Sequence, residues 1–143
     1  MKGWKLTIGI LLLVGLTLGG CTRNLYNVKD APVPSFKNRS LSLAEVKKAI
    51  MVSKGTSYVH YRMYDIEPGL IRCELTYKKH TALVDIPYTK DSYSILYKSS
   101  QNLKYEPVSE DNAAMIHRHY NTWIRDLDKS IKMNLSIAPG KNK

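Results

Sequence analysis

Histidine and cysteine are the residue types in this chain best suited to metal or nucleophile chemistry, and there are only four His and two Cys. His117 and His119 are two residues apart in a segment whose apolar spacing predicts a helix, so their side chains would point about 200° from each other. His60 and His80 would lie on opposite faces of a predicted sheet. Because zinc needs three or four convergent ligands, we predict no metal site and no cofactor.

A catalytic nucleophile is equally difficult to assign. Serine, histidine and aspartate are present, but the sequence contains no nucleophile elbow, paired-carboxylate motif or glycine-rich phosphate loop. If Cys21 is covalently modified, Cys73 has no partner for an intramolecular disulfide, and we expect it to be a buried, inert thiol. These patterns predict a protein without catalytic residues.

The amino-terminal segment carries the clearest signal in the sequence. Lys2 and Lys5 precede an apolar run from Leu6 to Leu18, and small residues follow it. A basic start, a short apolar run and small residues are typical of an export signal. The apolar run covers about 13 residues, whereas a membrane-spanning helix needs about 20. We therefore predict a signal peptide over residues 1–20.

The end of this segment, Leu18-Gly19-Gly20-Cys21, resembles the lipobox of bacterial lipoproteins. The resemblance implies that the Cys21 thiol receives a diacylglycerol, that the leader is cut off, and that the new amine is acylated, for example with palmitate. The residue after Cys21 is Thr22 and not aspartate, and in this respect the chain resembles lipoproteins sent to the outer membrane. The implied location is the cell envelope, lipid-anchored at the outer membrane and facing the periplasm.

The chain is strongly basic, with a formal charge of +10 at neutral pH, and loss of Lys2 and Lys5 with the leader lowers it by two, to +8. Such a surface favours anionic neighbours: phospholipid headgroups, peptidoglycan carboxylates or acidic proteins. Nucleic acid is the usual partner of a basic protein, but export argues against it. We expect a membrane contact through the lipid, and an envelope protein or an anionic envelope polymer as partner.

Residues 21–40 contain Pro32, Pro34 and scattered polar residues, without a periodic apolar pattern. Proline disfavours helix for the residue before it, so this segment is predicted to be an extended, lipidated tether. Fully extended, it could hold the folded domain about 60 Å from the lipid. A few apolar residues could dock part of it on the domain, and the sequence leaves this open: Leu25, Tyr26, Val28 and Phe36.

A helix is predicted from Ser42, because Ser42-Leu43-Ala44-Glu45 has the spacing of a capping box. Leu41 and Val46 occupy the two staple positions. The predicted buried face is formed by Leu43, Val46, Ala49 and Ile50. Gly55 suits a left-handed helix stop.

From Tyr58 to Lys98 the apolar period changes to two, which predicts four antiparallel strands joined by short loops. Gly69 is expected in the left-handed conformation of the first loop. The loop lengths set a register, in which a slip of one residue would exchange the faces. The predicted inner pairs are Tyr61–Leu75, Met63–Cys73, Leu75–Ala82, Cys73–Val84 and Ile86–Ile95, and the outer pairs are Arg62–Glu74, Arg72–Asp85 and Thr76–Thr81.

The last predicted helix begins near Ser109, Asp111 or Asn112 and ends before a frayed tail. Its inner stripe is Ile116, Tyr120, Ile124, Leu127 and Ile131, with Trp123 and Leu135 on the flanks. The fold class is α+β: a two-layer domain in which a four-stranded antiparallel meander has an N-terminal and a C-terminal helix on one face. The predicted organisation is leader 1–20, tether 21–40, a single domain 41–137 and tail 138–143.

Several further segments are similar to small lipoproteins of Gram-negative bacteria. They are Tyr26-Asn27-Val28, the run from His80 to Tyr88, Ser92-Tyr93-Ser94-Ile95, Asn102-Leu103-Lys104-Tyr105, and the run from Ile116 to Trp123. The resemblance covers nearly the whole mature chain. It implies no enzyme activity.

Two surfaces are candidates for binding. The first is the open face of the sheet, where the register places apolar residues beside charge: Tyr58, Arg62, Tyr64, Arg72, Leu83 and Leu96. The second is the polar segment 99–108 with the residue before it, which offers donors and one ring for a carboxylate or a sugar: Lys98, Asn102, Lys104 and Tyr105. The ordinary alternatives are a solvated sheet face and a simple connector.

The sequence therefore predicts a lipid-anchored periplasmic binding or envelope-assembly module that is not an enzyme. A cell-wall-modifying enzyme with an unrecognised site, which would need a deep pocket near residues 98–105, is the first alternative. A carrier of a small apolar ligand, which would need a cavity between helices and sheet, is the second.

Overall fold

A computed structural model describes residues 20–37 and 39–137 of the chain; predicted leader residues 1–19 and the predicted tail 138–143 lie outside the described residues. The architecture is α+β, with a five-stranded antiparallel sheet, a separate two-stranded sheet and two helices. The elements are β1 (Thr22–Asn24), β2 (Val28–Pro32), α1 (Leu43–Met51), β3 (His60–Glu67), β4 (Leu70–Tyr77), β5 (His80–Pro87), β6 (Ser92–Gln101), β7 (Met115–His117) and α2 (Arg118–Ser136).

Helix α1 begins where the capping box predicted. The Ser42 hydroxyl accepts from the Glu45 amide, and the Glu45 carboxylate accepts from the Ser42 amide at 2.8 Å. Two predicted details are wrong. Leu43 is exposed rather than on the buried face, and the helix is capped by Val52 with no left-handed glycine. Gly55 instead lies against the Tyr61 ring, where a side chain would collide.

The register of the central strands is the predicted one. On the inner face Tyr61 pairs with Leu75 and Cys73 pairs with Val84, and on the outer face Arg72 pairs with Asp85. Gly69 has the expected positive φ of 88°. The turn after β4, which lacks Asn and Gly, is made by Lys78 in the left-handed region at φ 52°.

The predicted four-stranded meander is incomplete, because the sheet has a fifth strand. Strand β2 pairs with β6 at the far edge, giving the order β2-β6-β5-β4-β3. The segment predicted as an extended tether, residues 21–40, thus supplies both β1 and β2, and the docking that the sequence left open takes place. Val28 and Ala31 are buried in the core, so burial of apolar surface and strand pairing hold this segment on the domain.

The connection into the last helix also differs from the prediction. Strand β7 occupies the segment predicted as the first turns of the helix, and α2 begins only at Arg118 with His117 as its N-cap. Ile116 is buried as predicted, but from a strand. The flanking residues Trp123 and Leu135 are fully buried.

The core lies between the inner sheet face and the two helices. Its largest fully buried side chains include Trp123, Tyr93 and Tyr120. The Tyr93 hydroxyl donates to Asp128 Oδ1 at 2.6 Å, and Lys132 Nζ donates to the other oxygen at 2.7 Å. A buried carboxylate on α2 is therefore joined to strand β6 by a charge-assisted hydrogen bond.

Substitution Tyr93→Phe should lower the free energy of unfolding by about 1.5–3 kcal/mol, because it removes a hydrogen bond to a buried charged group. Urea denaturation measures this. Tyr120→Phe is the matched control: the Tyr120 hydroxyl is equally buried and has no hydrogen-bond partner within the described part of the chain. Its loss should cost less than about 1 kcal/mol. Equal effects of the two substitutions would contradict the assignment.

Candidate functional site

The outer face of the sheet gathers five of the six residues predicted for a partner face. Tyr64, Arg72, Asp85 and Leu96 form one row across β3, β4, β5 and β6. The next row is Arg62, Glu74, Leu83 and Ser99. The apolar members are separated by charged ones, so this face is mixed and polar rather than a continuous apolar patch. Its binding role stays a prediction.

Tyr58 does not belong to this face, and that assignment is wrong. Strand β3 begins at His60, so the alternation does not extend to Tyr58. The Tyr58 ring lies edge-on to Tyr77, 5.0 Å between centroids, and Tyr77 in turn contacts the buried Trp123. Tyr58 therefore extends an aromatic cluster on the helix side of the sheet.

The charges on the outer face are largely paired with one another. Arg72 Nε lies 2.7 Å from Asp85 Oδ1, and Lys98 Nζ lies 3.7 Å from Asp85 Oδ2. The hydrogen bond from Arg72 holds the pKa of Asp85 below its ordinary value, against the opposing effect of partial burial. Beside this cluster is an open groove of about 340 Å³ lined by Glu74, Thr76, Thr81, Leu83, Ser99, Ser100 and Gln101. Such a surface suits a polar contact.

The predicted binding loop is divided by the structure. Residues 99–101 belong to strand β6 and pair with β5, so the loop starts only at Asn102. Lys98 sits at a bulge in β6, where the register shifts against β5, and its side chain joins the outer-face charges. It is not part of the loop surface.

The other three predicted loop residues have different surroundings. The Asn102 side-chain amide donates to the Lys79 carbonyl at 2.7 Å. The Tyr105 ring is stacked on Tyr97 at 4.4 Å. These contacts fix the loop against the sheet, while Lys104 is exposed with a positive φ of 50°. The arrangement favours a connector over a pocket.

Three histidines come together beside the beginning of this loop, contrary to the expectation from the sequence. The rings of His80 and His117 are 6.4 Å apart and those of His117 and His119 are 4.6 Å apart, centroid to centroid. The helical-wheel argument for His117 and His119 is wrong because His117 is not helical. It is the N-cap, and its Nδ1 accepts from the His119 amide at 3.3 Å. Across the described residues, no three ligands are placed to hold a metal ion.

The histidine cluster lies in a cationic environment. Burial lowers the pKa of His117, and the neighbouring His119, His80, Lys104 and Arg118 lower it further. A folded pKa below the ordinary 6.5 means that the unfolded chain binds this proton more tightly. The stability contribution is complete above about pH 6.5 and is lost as pH falls through the depressed folded value.

We expect the free energy of unfolding to fall more steeply between about pH 7 and pH 5 in the natural chain than in His117→Asn. Asparagine keeps a side-chain acceptor at the N-cap but cannot titrate. Chemical denaturation at a series of pH values gives the two slopes. Identical slopes would show that His117 is not the titrating group.

A concavity lined by three arginines lies at the start of the described chain, and no local pattern in the sequence predicted it. It has a volume of about 640 Å³ and is formed by β1, β7 and the first turns of α2. Arg118, Thr122 and Arg125 recur at helical spacing along one side of α2, and Arg23 comes from β1. No acidic residue is among its described lining residues.

Local packing fixes the walls of this arginine concavity. The Asn121 side chain accepts from the Tyr26 amide at 3.0 Å and donates to the Asn24 carbonyl at 2.8 Å. The Arg125 guanidinium lies 4.5 Å from the Tyr26 ring centroid, a cation–π distance. The helical spacing of Arg118 and Arg125 was the one cue to this concavity in the sequence. Arg23 lies nearly 100 residues earlier, so the sequence alone does not connect it with them.

Cys21 lies at the edge of this concavity. Its carbonyl accepts from the Arg118 amide at 2.8 Å, and its thiol is exposed. Cys73, in contrast, is fully buried on β4, and burial raises its pKa to about 12. Cys21 is therefore accessible to modification, whereas Cys73 is protected by burial.

Comparisons with protein-family models, curated proteins and solved structures find no match to this chain. Among the residues that the structure describes, none of the helices has the length and apolar character needed to cross a membrane.

Proposed function

We propose that the protein is a lipid-anchored module of the cell envelope, attached to a membrane through Cys21 and facing the periplasm. Its role is binding or envelope assembly rather than catalysis. The observation that carries the proposal is the exposed thiol of Cys21, which follows the Leu18-Gly19-Gly20 sequence. Acyl chains on this thiol would extend from the domain without disturbing its core.

The attachment has a consequence for where the domain sits. Strands β1 and β2 pair with β7 and β6, so this segment does not form a long free tether. An anchor on Cys21 would therefore hold the domain directly against the headgroup layer. Each buried methylene contributes about 0.8 kcal/mol, and two or more acyl chains make attachment stable.

Polar side chains at the two candidate surfaces are already engaged in structural contacts, which favours a binding role over catalysis. Asn102 and Tyr105 are engaged in contacts that fasten the loop to the sheet. On the outer face, Asp85 is paired with Arg72 and Lys98, which disfavours its use as an acid or base at neutral pH. The space between sheet and helices is occupied by buried aromatic and aliphatic side chains, and this favours a surface contact over an internal apolar ligand.

Cells grown with labelled palmitate should incorporate the label into the natural protein, and Cys21→Ala should abolish incorporation, because the thiol is the proposed attachment point. Cys73→Ala is the matched control and should be labelled normally, since the Cys73 thiol is buried. Labelling is read from the immunoprecipitated protein. Label that persists in Cys21→Ala would refute the anchor.

A further inference from the structure

We propose that the arginine concavity, formed by Arg23, Arg118 and Arg125, binds the phosphate of an anionic phospholipid headgroup. The inference rests on the proposed anchor at Cys21 and deepens it by naming the surface that the domain presents to the membrane. A lipid headgroup and a soluble phosphate would both present a phosphate monoanion to the guanidinium groups. We assign this phosphate to the lipid.

The three arginines of the concavity carry positive charge that no described carboxylate balances. Within the described residues, none of the three arginines belongs to an ion pair with a carboxylate; the ion pairs found there all involve other basic residues. Three guanidinium groups that line one concavity without an acid repel one another. Because a guanidinium offers paired donors that match phosphate oxygens, a bound phosphate would relieve this repulsion.

The second argument is the placement of Arg118. It is the first residue of α2, and the first turn of that helix contains no acidic residue. A cation at the positive end of a helix is unfavourable, whereas an anion there is stabilised. The sequence thus places a positive charge where it weakens the free helix, and a negatively charged ligand beside the Arg118 side chain would offset the effect.

The third argument is that the site is held in shape. Asn121 is 4% exposed and uses both ends of its amide to fix the backbone of Asn24 and Tyr26. Arg125 is positioned over the Tyr26 ring. Arg23 Nη1 donates to the Thr22 carbonyl at 2.8 Å and to the Gly20 carbonyl at 3.0 Å. The Gly20 carbonyl would leave with the leader, which would release one of these two donors for a ligand.

The position of the anchor selects a lipid over a soluble phosphate. Thr22 and Arg23 follow Cys21 directly, and the Cys21 carbonyl is bonded to the Arg118 amide. Since a residue spans at most about 3.6 Å, the concavity would lie within roughly 10 Å of the acylated thiol. At that distance phospholipid phosphates would be the anions of highest local concentration.

The test uses the mature chain from residue 21, the form proposed to remain after leader cleavage, with Cys21→Ser in neutral detergent micelles, so that binding is measured without a leader or an acyl anchor. Phosphatidylglycerol or phosphatidylcholine is added to the micelles, and arginine Nε–H signals are followed by NMR. We expect saturable shifts of Arg23, Arg118 and Arg125 with phosphatidylglycerol only. Replacing the three arginines with Gln should weaken binding at least about tenfold, a change of about 1.4 kcal/mol.

The matched control replaces three exposed lysines outside the concavity, Lys54, Lys90 and Lys129, with Gln, which removes the same charge. Binding should be nearly unchanged. Equal loss in both triple variants would overturn the site in favour of general surface charge. Arg118→Gln alone, a single substitution at an exposed position, should weaken binding even if the triple variant folds poorly.

Two other outcomes would overturn the proposal. Equal shifts with both lipids would exclude an anionic headgroup, and inorganic phosphate that binds as tightly as phosphatidylglycerol would assign the site to a soluble ion. Because Cys21 is serine throughout, these results do not depend on lipidation. Conversely, absence of palmitate label from the natural protein would refute the anchor and leave the measured headgroup binding standing.

Discussion

The pairing of the amino-terminal segment with the end of the chain is the constraint on which the functional interpretation depends. Strand β1 pairs with β7, and the Asn121 side chain bridges to the backbone on either side of Leu25. A buried amide that satisfies two backbone groups is costly to disrupt, because each group would lose its partner away from water. Cys21, the proposed attachment residue, is therefore joined to the folded domain through its carbonyl.

This pairing brings together two features that are far apart in the sequence. The lipobox-like segment lies at one end, and the basic face of α2 lies near the other. Residues such as Arg23 and Arg118 become neighbours only because β1 and β7 form a ladder. Three of the basic side chains, Arg23, Arg118 and Arg125, thereby line one concavity near Cys21. Attraction between such a face and anionic lipid falls off within a Debye length, so its effect depends on this proximity.

Sequence patterns predicted the central hairpins well because each signal there is local. Alternation over eight-residue strands and a single left-handed position at Gly69 are enough to set a register, and a slip would expose the core face. The same reasoning missed β2 because a register shift separates Val28 from Ala31. Two buried residues three apart do not show a period of two. Likewise Ile116 fits the stripe of α2 at helical spacing, so a three-residue strand could not be distinguished from a helix turn.

The candidate site was less accessible to sequence analysis for a related reason. A site in which Arg23 and Arg118 line one concavity has no local motif, since its geometry comes from tertiary pairing. The histidines show the same limit: once His117 leaves the helix, the argument that separates it from His119 no longer applies. Local periodicity therefore predicts which face of an element is buried, and the joining of distant segments decides which charges meet. In this protein the charges that meet beside Cys21 are uncompensated arginines, and an anchored domain would direct them at the phosphate layer of the membrane.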